Sequence, residues 1–225
     1  MSDFVDIPFL VKLVSQQTKG LFLCTPCERA TLKKAVPEAL LRVRNCFSAI
    51  GNKYYSKEKV PIFNPFHSGQ YTIFLYFLSR DVFEKYGEVQ LADKLYYLNK
   101  VLNGCDLFYE VKLPPVFFNE HPVGSVIGRG TFSNYFVFQQ NCTVGGNKGA
   151  YPILGEYVWL FANSVVIGAS HIGNNVFVSA GTYIKDAVVP DNSIVFGRSP
   201  HLTIKQKPPE YFTSKSPFHV HHGGG

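Results

Sequence analysis

Seven histidines, five cysteines and sixteen Asp or Glu residues are the groups in this 225-residue chain able to move protons, attack electrophiles or ligate metal. Imidazole has an unperturbed pKa near neutrality, so the histidines are the first candidates for a general base. His219, His221 and His222 fall in the last seven residues, where they would hold metal only adventitiously. His67 and His201 stand beside or close to prolines in turn-like segments, His171 takes an outward position, and His121 precedes Pro122 as a surface turn histidine would. The cysteines (Cys24, Cys27, Cys46, Cys105 and Cys142) are odd in number and scattered. Cys24-Thr25-Pro26-Cys27 lacks the second pair that a tetrahedral zinc site needs, so free thiols in a reducing, cytoplasmic setting are expected, and no metal.

The elements that would position these groups come in two textures. From Leu154 an aliphatic residue recurs every six positions: Leu154, Leu160, Val166, Ile172, Val178 and Ile184. Four residues after each comes a small or β-branched one: Val158, Ser164, Ser170, Val176, Thr182 and Val188. A six-residue unit cannot bury its own apolar face, so it must stack on neighbours, and three short strands per turn make a triangular prism. Leu107, Leu113, Phe132, Phe138 and Val144 extend the pattern backwards, broken at Asn119 to Val126 and at the glycine-rich Gly145 to Pro152. Insertions in a solenoid leave on one face and commonly carry function, which makes these two breaks the places to look for chemistry.

Before Gly104 the patterning is helical: a short apolar face at Phe9, Leu10 and Leu13, a helix from Glu28 to Ile50 broken or kinked at Pro37, one from Tyr71 to Tyr86 capped by Ser68, and one from Val89 to Leu102. The organisation expected is a helical N-terminal domain over 1–105, a β-solenoid over 106–205 and a C-terminal tail over 206–225, floppy from His219 onward. No apolar run is long enough to span a bilayer. The net charge of +6 is dispersed, without a basic stripe interleaved with aromatics, which suits phosphate-bearing small molecules better than nucleic acid.

From Asp106 to Ile204 the sequence resembles the hexapeptide-repeat acyltransferases, and within them the serine acetyltransferases. That family carries Asp-Ile-His-Pro and, fifteen residues after its aspartate, the histidine of Asp-His-Ala-Thr-Gly. Here Asp106-Leu107-Phe108-Tyr109 stands at the same spacing before Glu120-His121-Pro122-Val123-Gly124. Val126-Ile127-Gly128, Cys142-Thr143-Val144-Gly145-Gly146 and Phe196-Gly197-Arg198-Ser199-Pro200 resemble later landmarks of the family. The resemblance implies an α+β chain whose second half is a left-handed parallel β-helix, a homotrimer or dimer of trimers with sites between adjacent prisms, and acetyl transfer from acetyl-CoA. It implies His121 as general base, Asp106 as its orienter and backbone amides of Gly145 to Gly149 as oxyanion donors. For the CoA it implies Gly145, Gly146, Ala162, Ala180 and Gly181 beside the pantetheine arm, and Lys185, Arg198 and Lys205 for the phosphates. Trp159, on an outer position, would pack between subunits or touch ligand.

The departures bear on the acceptor. Where serine acetyltransferases have Arg-His-Pro after the glycine loop, this chain has Ala150-Tyr151-Pro152, so the cation for a serine carboxylate is missing. Glu120 replaces the aspartate before the histidine. A sugar or glycan-precursor hydroxyl, bound by Glu120, Tyr151 and Tyr135 in surface-glycan synthesis, is the expected acceptor. The alternatives are an N-acetyltransferase on an amino sugar, a serine O-acetyltransferase, and a non-catalytic β-helix scaffold.

Overall fold

A computed structural model describes residues 5–58 and 60–219. Helix α1 (Ile7–Leu21) starts on Asp6, whose carboxylate accepts from the Phe9 amide. Helix α2 (Pro26–Ser48) opens on a reciprocal capping box between Thr25 and Glu28. It runs unbroken through Pro37, because the face made by Ala35, Val36, Ala39, Leu40 and Val43 is buried and holds the helix across one lost hydrogen bond. Helix α3 (Ser68–Tyr86) is capped by the His67 side chain and not by Ser68, and α4 (Val89–Asn103) ends on Gly104 at φ 61°.

Beyond Gly104 the chain winds into a parallel β-helix of about five coils. Its first face stacks strands Phe117–Asn119, Phe136–Phe138, Val158–Leu160, Val176–Val178 and the start of Ser193–Arg198. The second stacks Val126–Ile127, Thr143–Gly145, Val165–Ile167 and Tyr183–Lys185, and the third Thr131–Phe132, Ile153–Leu154, His171–Ile172 and Val188–Val189. All six aliphatics of the repeat point inward, as do Leu107, Leu113, Phe132, Phe138 and Val144. The small positions are buried too, with one exception. Val188 is 71% exposed and Val189 is buried, paired beside Ile172, because the coil after Ile184 is one residue short. A one-residue slip exchanges the faces of a strand.

The corners between the first and second faces turn on a residue in the left-handed region (Gly124, Asn141, Asn163 and Gly181), as do those between the third and first (Tyr135, Tyr157, Asn175 and Asn192). Asn recurs because its short polar side chain tolerates that conformation and bonds to the next coil, as in Asn141 Nδ2 to Asn163 Oδ1 (3.1 Å) and Asn175 Nδ2 to Asn192 Oδ1 (2.9 Å).

Helices and coils share one apolar core. The Tyr76 hydroxyl, buried in α3, donates to the Val111 carbonyl (2.7 Å) and accepts from the Leu113 amide (2.8 Å). Arg80 donates to the Tyr109 carbonyl (2.7 Å), and Phe77 meets Phe117 edge to face. At the far end, strand His201–Gln206 pairs antiparallel with Ser193–Arg198, and the chain turns through the short helix α5 (Pro209–Thr213). The segment that follows is a strap, and of the tail expected to be floppy only His219 is among the described residues. Phe212 packs on Phe177, Phe218 packs on Tyr135, and Gly51 N and His219 N bond to the Pro217 and Ala49 carbonyls (2.7 and 2.8 Å). Trp159 lies mid-strand beneath this strap, stacked on Phe161, and is no outer corner. His221 and His222 lie outside the described residues.

The register slip is directly testable. Val189→Ser should cost about 2 kcal/mol or more through loss of a packed side chain, whereas Val188→Ser should stay within about 0.5 kcal/mol, both read from denaturant midpoints.

Candidate active site

The break in the repeat at Asn119 to Val126 forms a compact turn. Val123 N bonds to the His121 carbonyl (2.8 Å), Ser125 N to Pro122 O (3.1 Å), and Gly124 N reaches back to Gly104 O (2.8 Å). His121 stands exposed at its tip with φ 50°, the same conformation that turns the regular corners, so this backbone is corner geometry in the service of the fold. The turn faces the segment between α2 and α3, and the two enclose a cleft of about 200 Å³. Its walls are Asn52, Tyr54, Tyr55 and His67 on one side and Asn119, Glu120 and His121 on the other.

The polar groups in the cleft are fixed from behind. His67 Nδ1 accepts from the Gln70 amide (3.4 Å), which leaves the proton of a neutral ring on Nε2. Tyr54 and Tyr55 flank that ring at centroid distances of 6.0 and 5.5 Å. Burial holds the His67 imidazole below its ordinary pKa, and neighbouring His121 pushes in the same direction. Tyr55 donates to Asn119 Oδ1 (3.3 Å), while Asn119 Nδ2 is buried with no partner among the described residues. Gly69 is required here, since a Cβ on it would lie 2.6 Å from the Tyr55 hydroxyl. Glu120 accepts from Gln139 Nε2 (2.6 Å), whose amide oxygen in turn takes the Ala162 N–H (3.0 Å). No Lys or Arg is among the described residues lining this cleft.

Asp106 is not joined to His121. Its backbone lies in the coil before, with Asp106 N bonded to Ser125 O (2.9 Å), but its two carboxylate oxygens are taken by the Tyr96 hydroxyl (2.8 Å) and Lys100 Nζ (2.6 Å) of α4. In this geometry Asp106 ties α4 to the first coil.

The other residues singled out in the sequence divide by position. Ala162, Ala180 and Gly181 follow the His121 turn down one corner, linked coil to coil by Asn141 N to Val123 O, Asn163 N to Gln140 O and Gly181 N to Ala162 O (3.0 Å each). Gly145 and Lys185 share one column of the adjoining second face, and Arg198 lies at its base over the Tyr183 ring (4.9 Å). Lys205 is elsewhere, on the terminal hairpin over Phe196. Tyr151 folds over Gly146 on the opposite edge of the second face, where a Cβ on Gly146 would meet its ring at 2.6 Å. Tyr135 is stacked on Tyr157 (4.3 Å) on the first face's other edge, beneath the strap, which removes it from the His121 cleft. Cys24 and Cys27 flank the start of α2, all five cysteines are free, and burial pushes the Cys46 thiol up to about 12.

The structure of Neisseria gonorrhoeae serine acetyltransferase superposes with a TM-score of 0.71, covering 96% of this chain and 85% of that one at 19% identity. This is the fold of the serine acetyltransferases. A serine acetyltransferase solved in complex with CoA matches with a TM-score of 0.64 at 16% identity, over 87% of this chain and 83% of that one. In sequence, the serine acetyltransferase of Synechococcus elongatus is 29% identical over 106 residues, 45% of this chain and 43% of that protein. The chain therefore spans less than half the length of this curated relative. No protein-family model matches it. The serine acetyltransferase fold accounts for the left-handed β-helix and for the helical half that closes on its first coil. No helix among the described residues is long and apolar enough to cross a membrane.

His67, Tyr54 and Asn52 were not among the site residues expected from sequence; His67 had read only as a turn histidine. Its depressed pKa has a thermodynamic consequence. Below the ordinary imidazole value of about 6.5 the unfolded chain binds the His67 proton more readily than the folded one, so stability falls as pH drops through that window. His67→Gln should flatten this part of the pH dependence, measured as unfolding midpoints on either side of it.

Proposed function

We propose that this chain transfers an acetyl group from acetyl-CoA to the hydroxyl of a neutral sugar or glycan precursor, with His121 as general base. The observation that carries the reading is the cleft itself: two imidazoles, two tyrosines and two amides, without a Lys or Arg among the described residues to receive a serine carboxylate. Aromatic faces and neutral hydrogen-bonding groups suit a polyol. The absence of the family's arginine, replaced at Ala150, fits the same acceptor. His121 takes the acceptor proton as its oxygen attacks the thioester carbon, and the resulting imidazolium returns that proton to the CoA sulfur as the C–S bond breaks. His67, held neutral with its proton on Nε2, donates to the acceptor and leaves His121 as the group that charges. Glu120 lines the same wall.

The CoA would follow the corner below His121, with the small residues Ala162, Ala180 and Gly181 against the pantetheine arm and Lys185 and Arg198 near the phosphates. Tyr151 and the Gly145 to Gly149 amides stand on the other edge of the second face from His121. A trimer of parallel prisms would set that edge of one chain against the His121 corner of the next, which supports the homotrimer and the oxyanion role together. Ile153 and Val188, exposed on either side of His171 in one ladder, suit such a contact. Five free thiols support a reducing, cytoplasmic setting.

Thiol release from acetyl-CoA across a panel of serine, glucosamine and neutral sugars tests the acceptor; turnover of serine above that of every sugar would defeat the reading. His121→Ala should lower transfer by about 100-fold or more while CoA binding stays near normal. Asp106→Asn should change transfer little and lower stability by no more than about 1 kcal/mol, as a half-exposed pair with Lys100 contributes; a large loss of transfer in a stably folded variant would restore Asp106 as orienter.

A further inference from the structure

A second concavity lies in the helical half, separate from the His121 cleft. It is a groove of about 590 Å³ between α1 and the start of α2, in the size range of small-molecule sites. Ile7, Pro8 and Val11 give it an apolar floor. Four cations line its walls: Lys12 and Lys19, two turns apart on the α1 face that carries Ser15 between them, and Arg29 and Lys33, one turn apart on α2.

Arg42, Arg80, Lys85, Lys94 and Lys100 each pair with a carboxylate, whereas none of the four groove cations has an ion pair or side-chain hydrogen bond among the described residues. Lys34, Arg44, Lys53 and Lys57 are likewise without an ion pair among the described residues, but in this groove four such cations are gathered around one concavity. No Asp or Glu among the described residues lines the groove. Ser15, with 8% exposure, lines it as well, and its hydroxyl has no partner among the described residues. Like charges gathered around a concave, partly apolar surface repel one another and focus a positive potential there, which a bound anion relieves. An apolar floor adds what inorganic phosphate cannot use.

The geometry points to a binding site for a single amphiphilic phosphate, a phosphate ester bearing an apolar chain, with the phosphate among Lys12, Lys19, Arg29 and Lys33 and the chain along Ile7, Pro8 and Val11. A concave groove encloses one molecule; a bilayer surface would instead favour a convex, apolar-tipped one. This site does not depend on the acetyl-transfer reading.

The test is calorimetric titration of the full chain with monomeric decyl phosphate, against inorganic phosphate and a neutral decyl glycoside. Saturable binding of decyl phosphate at least about tenfold tighter than either control is expected, weakened about tenfold or more in Lys12→Gln/Lys33→Gln with unchanged circular dichroism. Affinity matched by inorganic phosphate, affinity matched by the glycoside, indifference to the double substitution, or binding to phosphatidylglycerol vesicles without binding of the monomer would each overturn it.

Discussion

One buried hydroxyl holds the two halves of this molecule in register. Tyr76 lies within α3 and exchanges two hydrogen bonds with Val111 and Leu113, backbone groups that lead into the first coil. A buried polar group left unmade costs more than a made one contributes, so the pairing specifies the docking angle even where its net stabilisation is modest. The candidate site needs that precision. His67 belongs to the helical half and His121 to the coils, and the cleft between them has no existence in either alone.

The β-helix was legible because its constraint is periodic and local. Every coil must bury an apolar side chain on each face, and most corners turn through a left-handed residue, so both demands print a six-residue rhythm with Asn or Gly at many of the turns. Where the rhythm slipped, at Val188 and Val189, sequence alone gave no sign, since two adjacent valines satisfy either register. Pro37 misled for the opposite reason: a local rule that breaks isolated helices was overridden by a buried face.

The site was legible by halves. His121 stood out by its spacing in a motif, and the small residues at 162, 180 and 181, singled out from sequence on separate grounds, lie along its corner. His67, Tyr54 and Asn52 were invisible because they approach from 54 or more residues away along a path set by tertiary packing. Asp106 shows the converse hazard. It kept its spacing, yet a nearby Lys100 and Tyr96 captured both oxygens, a competition that no motif records.

The C-terminal strap links the last coil to the residues just after α2, passing along the first face to meet Ala49 and Gly51, next to Asn52 in the cleft wall. A solenoid can ordinarily gain or lose a coil with little penalty, because each unit touches only its neighbours. Here the strap measures the stack. A coil added or removed would shift the Phe177 end of the strap relative to its Ala49 and Gly51 end by one strand spacing, so these contacts tie the length of the segment to the number of coils it crosses.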